Sequence, residues 1–137
     1  MSEKTILVIG TYDTKSDELN YISDRITSMG GKVLTMDVSV LGEPKKETHF
    51  SKHTVAEAAG KSIKEAIDSG SEHIAMNIMS DGASKLANHL NLKNKFDGVI
   101  ILGGTMGTDL ALDVCQSLPL GLPKYVVSTV SFSPIIP

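Results

Sequence analysis

Two short runs constrain this chain more than anything else in it. Thr5–Gly10 (TILVIG) is almost wholly apolar and ends in glycine, and residues 97–102 (DGVIIL) are followed by Gly103-Gly104. Such runs lack the alternation of a half-exposed strand, so both faces must be covered. Strands of that kind belong to parallel sheets flanked by helices. After the first run, Leu19, Ile22, Ile26 and Met29 recur at helical spacing, and Gly30-Gly31 closes the segment. A second strand is expected at residues 32–38 (KVLTMDV), completing a β-α-β unit with a right-handed crossover.

Residues 39–53 are polar, contain Gly42 and Pro44, and read as a long loop of the functional or mobile kind. One helix is expected over 54–69, with Val55, Ala59, Ile63, Ala66 and Ile67 on one side and Gly70 as its stop. In 71–94, Ile74, Met76 and Ile78 alternate as a strand would. Ala75, Met79, Ala83, Leu86 and Leu90 nevertheless keep helical spacing, which predicts a helix interrupted or closely packed at Gly82. Met106, Leu110, Ala111, Val114 and Leu118 define another helix, stopped by Pro119, and residues 124–129 (KYVVST) form a last strand. Four apolar strands separated by helices give an α/β domain built on an open, mostly parallel sheet, and residues 1–137 read as one domain.

Composition narrows the function classes. Hydrophobic residues are 41% and charged residues 21%, which counts against disorder, and no apolar run reaches membrane-spanning length. Aromatics are 4%, Trp is absent and the net charge is −3, so a nucleic-acid surface is not expected. The one cysteine excludes a disulfide scaffold, and the N-terminus carries no signal-peptide pattern; a cytoplasmic location is expected.

Ligands of open parallel sheets bind at the carboxyl ends of the strands. Here those ends carry Gly10, Thr11, Asp13, Thr14 and Lys15, then Asp37, then Gly103, Gly104, Thr105, Gly107 and Thr108, and finally Ser128 and Thr129. The glycine turn after the third strand opens a helix, so its N–H groups could converge on an anion; equally, it could be a tight turn capped by Thr105 or Thr108. It is neither a Walker loop nor the dinucleotide fingerprint. Asp13 or Thr14 is expected to cap the first helix, with Asp17 completing a box-like arrangement. Lys15 in the first turn opposes the helix dipole unless an anion sits there; otherwise it is a solvated lysine. Asp37 suits a ribose hydroxyl, or is a plain loop-start aspartate. His49 and His53 stand four apart, but Phe50 occupies the position where a zinc-protease helix carries its Glu. Cys115 falls close to the apolar side of its helix and reads as packing, as do Met76 and Met79.

Four blocks occur in order: Gly10-Thr11-x-Asp13-Thr14-Lys15, Asp37-Val38-Ser39, Asp97-Gly98-Val99-Ile100-x-Leu102-Gly103-Gly104, and Leu118-Pro119-x-Gly121-x-Pro123-Lys124-x-x-Val127-Ser128-Thr129. Together they resemble the ATP-binding domain family typified by the tomato mosaic virus resistance protein, long catalogued as an uncharacterised protein family. The resemblance covers nearly the whole chain. It implies a nucleotide-binding N-terminal domain, normally followed by a second domain and commonly dimeric. Thr105 and Met106 within the glycine turn, and Val130-Ser131-Phe132-Ser133-Pro134 after the last block, depart from the family pattern.

The expectation is therefore a Rossmann-like, three-layer α/β domain with helices on both faces. It would be a lone N-terminal domain or a fragment, binding ATP, with Mg²⁺ as a possible companion near Asp13 or Asp109. Phosphates would rest on Lys15 and the turn from Gly103 to Thr108. No catalytic constellation is legible. The apolar tail residues Phe132, Ile135 and Ile136 lead to the expectation of a homo-oligomer. The rival readings are an interaction module that meets a C-terminal partner domain, and part of an enzyme for a small phosphorylated or carboxylated metabolite.

Overall fold

The computed structural model describes residues 3–103 and 105–128, with side chains at 105–108 and 128 outside the described set. The elements run β1 (Thr5–Gly10), α1 (Ser16–Ser28), β2 (Lys32–Asp37), α2 (Lys52–Ala58), α3 (Ile63–Asp68), α4 (Glu72–Leu92), β3 (Gly98–Gly103), α5 (Thr105–Ser117) and β4 (Lys124–Ser128). The strands form one sheet in the order β2-β1-β3-β4, and every pairing is parallel. The expected α/β architecture is present, with all four described strands parallel.

The unbroken apolar runs explain the layering. Along β1, Leu7 and Ile9 face one side while Val8 faces the other, and all three are fully buried. Leu7 and Ile9 join Met36, Val99 and Ile101 beneath α2, α4 and α5. Val8 joins Leu102 and Tyr12 beneath α1, against Leu19, Ile22 and Ile26. From β1 the chain moves outward to β2, then crosses back past β1 to β3, so the order reverses between β1 and β3. On the α1 side of β4, Tyr125 and Val127 remain exposed, at 67% and 47%.

Two expectations about the helices are corrected. The single helix expected over 54–69 is two, because Gly60 takes φ +75 and Ser62 starts a new helix, its side chain accepting from the Glu65 amide at 3.1 Å. The long loop is shorter than expected, since α2 already begins at Lys52 under the Ser51 cap. Gly82 interrupts nothing: α4 runs through it unbroken. A Cβ there would lie 1.9 Å from the Val55 carbonyl oxygen, so glycine lets α2 and α4 touch backbone to side. The tail at 129–137 lies outside the described residues.

Candidate functional site

The register aligns the strand ends. Gly10 pairs with Asp37 on one side and Leu102 on the other, and Gly103 pairs with Ser128. Gly10, Asp37, Gly103 and the backbone of Ser128 therefore share one edge. Gly104, Thr129 and the side chains of Thr105, Thr108 and Ser128 lie outside the described residues.

The β1–α1 turn is tight. A Cβ on Gly10 would meet the Leu19 side chain at 2.7 Å, so glycine brings α1 down onto the end of β1. The Thr14 and Lys15 amides both donate to the Thr11 carbonyl, at 3.2 and 2.8 Å. Neither Asp13 nor Thr14 caps α1: the cap position is Lys15, whose side chain makes no cap bond. The Asp13 carboxylate is turned away, its Oδ2 accepting the Gly42 amide at 3.2 Å, and the Thr14 hydroxyl is paired with that of Thr11 at 3.2 Å. The start of α1 thus lacks a side-chain acceptor, with half-buried Lys15 beside it and Asp17 and Glu18 in its first turn.

Asp37 is 1% exposed and binds inward. Its Oδ1 accepts the Tyr12 amide at 3.2 Å, the Ser39 amide at 2.9 Å and the Ser39 hydroxyl at 2.5 Å. One carboxylate therefore fastens the turn after β1 to the turn after β2. Burial, with Asp37 close by, holds the Tyr12 phenol well above its ordinary pKa, so it stays neutral.

Residues 38–51 form a strap across this edge. Phe50 bridges to Met36, and the Asp37 amide donates to the Phe50 carbonyl at 2.9 Å. At the other end, the Lys52 Nζ, 4% exposed as a residue, donates to the Gly42 carbonyl at 2.8 Å and pairs with Glu43 at 3.0 Å. Buried lysines are tolerated when paired and hydrogen-bonded, as here. His49 is occupied within the strap, its Nδ1 accepting the Thr35 amide at 3.0 Å, while His53 lies on α2. The described residues contain no group of three or more His, Cys, Asp or Glu suited to a metal ion.

Between the strap, the β1–α1 turn and α3–α4 lies a cleft of about 410 Å³. Thr11, Asp13 and Thr14 line one wall, residues 38–41 a second, and Ile67, Glu72 and Met76 part of a third. The third wall was not foreseen from the sequence. Its signal was there, in Ser62-x-x-Glu65 and in Gly70-Ser71, which begin new helices and turn α3 and α4 toward the strap.

Residues 4–136 match the model of the uncharacterised protein family (UPF0261) N-terminal domain. A UPF0261 protein of Brucella suis biovar 1 is 53% identical over 96% of this chain and 32% of its own length. A UPF0261 protein of Clostridium tetani is 35% identical over 93% of this chain and 32% of its own. The ToMV resistance protein Tm-1(GCR237) of Solanum lycopersicum is 31% identical over 92% of this chain and 19% of its own. The chain thus spans about a third of the length of these bacterial relatives. Among solved structures, the C-terminal domain of a Pyrococcus furiosus hydrogenase superposes with a TM-score of 0.65 at 19% identity, covering 93% of each chain, a likeness of fold alone. With a match from residue 4 to residue 136, the chain belongs to the uncharacterised protein family UPF0261, in the region of its N-terminal domain.

Proposed function

We propose that this domain binds a nucleotide, ATP being the leading candidate, along the edge formed by the carboxyl ends of β1, β2 and β3. The observation that carries the reading is the cleft of about 410 Å³ at the carboxyl ends of β1 and β2, lined by Thr11, Asp13, Thr14 and residues 38–41. Open parallel sheets bind their ligands in the crevice outside the carboxyl ends of their strands. Lys15 and the uncapped start of α1 support it further: the free N–H groups and the helix dipole attract an anion, and Lys15 supplies the charge. In this reading the triphosphate runs over Lys15 toward the turn at Gly103, with Mg²⁺ beside Asp109, since Asp13 lines the cleft and binds the Gly42 amide. Asp37 acts through Tyr12 and Ser39, by holding two of the turns in register. Calorimetric titration with ATP, ADP and phosphate tests it; saturable ATP binding is expected, and no heat with any of the three overturns it.

A second reading, an assembly module that meets another domain or copy, draws on the exposed Tyr125 and Val127 of β4. Light scattering across a dilution series tests it, a concentration-independent monomer being the contrary result.

A further inference from the structure

We infer that the cleft receives the uncharged, largely apolar end of the ligand and excludes its phosphates, an inference that rests on the nucleotide reading and orients the ligand within it. Its walls are mostly aliphatic, with Val38, Ile67 and Met76 among them. At the mouth, Leu41 is 79% and Ile67 45% exposed, on two different walls of the same cleft. Large aliphatic side chains left in water beside a formed cavity gain most from a ligand that covers both, and a flat ring does so at least cost in polar groups.

Charge points the same way. Among the described residues the lining holds no Lys, Arg or His, whereas it holds Asp13 and Glu72. A phosphate placed here would meet two carboxylates and no cation. The start of α4 offers little compensation, because it is capped: the Ser71 hydroxyl already accepts the Ile74 amide at 3.3 Å, whereas α1 has no side-chain cap. Lys15 is absent from the lining and stands at the start of α1, next in sequence to Thr14, which lines the cleft. The wall bearing Leu41 is also held in place before any ligand arrives. Gly42 is held through both of its backbone polar groups, its N–H donating to Asp13 and its carbonyl accepting from Lys52. A preformed wall spends little of the binding energy on ordering itself.

The test uses three probes on the parent chain and on Leu41→Ser and Ile67→Ser: adenosine, inorganic triphosphate and ATP, each by calorimetry. Both substitutions fall on exposed side chains, and circular dichroism verifies that the variants fold. Adenosine is expected to bind and to compete with ATP. Each variant should weaken adenosine and ATP by roughly five- to tenfold, the scale of one lost aliphatic contact, and leave triphosphate unchanged. Triphosphate binding without adenosine binding, or adenosine affinity untouched in both variants, overturns the inference while leaving an anion site standing. Adenosine binding without ATP binding supports the apolar cleft and removes the nucleotide reading instead. Failure of all three probes to bind removes both.

Discussion

The Tyr12 amide donates to the Asp37 carboxylate at 3.2 Å, joining two strand ends that lie 25 residues apart in sequence. The same oxygen also serves both donors of Ser39, so a single buried acceptor sets the spacing between the β1–α1 turn and the strap. Asp37→Ala would leave these donors without a partner at a site almost free of water. The expected loss is about 1–3 kcal/mol of stability in urea unfolding, the cost of orphaned buried polar groups. Asp37→Asn keeps an acceptor oxygen and should lose less. If Asp37 instead contacts a ribose directly, Asp37→Asn will cut ATP affinity in a protein whose unfolding midpoint has hardly moved.

Gly82 gives a second case in which packing overrules local preference. Alanine is the better helix former by about 1 kcal/mol, so propensity alone favours Gly82→Ala. The added Cβ would lie 1.9 Å from a backbone oxygen of α2, which no side-chain rotation relieves. Overpacking of this kind costs roughly 1–3 kcal/mol, so the variant should melt below the parent. A Tm equal to or above the parent's would mean that α2 moves aside freely.

Lys15→Ala separates binding from folding. A cation at the start of α1 opposes the dipole, so its removal should leave stability unchanged or raise it by up to about 1 kcal/mol. ATP and inorganic triphosphate should both bind roughly tenfold more weakly, as expected for a lost charge-assisted hydrogen bond. Equal ATP affinity in variant and parent would take Lys15 out of the site.

Cys115 should be a slow thiol at neutral pH. Partial burial on α5 pushes its pKa above the ordinary value, and the positive charge of Lys124 offsets only part of that. A raised pKa lowers the thiolate fraction at neutral pH, so alkylation should lag a free thiol and accelerate as pH rises. Lys124→Gln should slow it further. Alkylation of the folded protein as fast as that of a small free thiol would contradict this.

What the sequence determined by itself is the layering. TILVIG and DGVIIL admit no exposed face, and helical spacing between them dictates a covered parallel sheet; the observed strands fall within a residue or so of the expected ones. Four candidate edges were also legible, because strand ends rich in Gly, Thr and Asp are local signals, and parallel pairing brings them to one side. The sequence could not say what each polar group there would face. Asp13 had the form of a helix cap, yet its partner is Gly42, 29 residues away, and Asp37 had the form of a ligand contact, yet it is sealed against Tyr12 and Ser39. The apolar wall of the cleft is not legible in the sequence, because Ile67 keeps its helical period, and Met76 reads as packing, whether they meet core or an open cleft. Periodicity records which residues share a face; only the docking of α3 and α4 beside the strap decided that part of that face would line an open cleft.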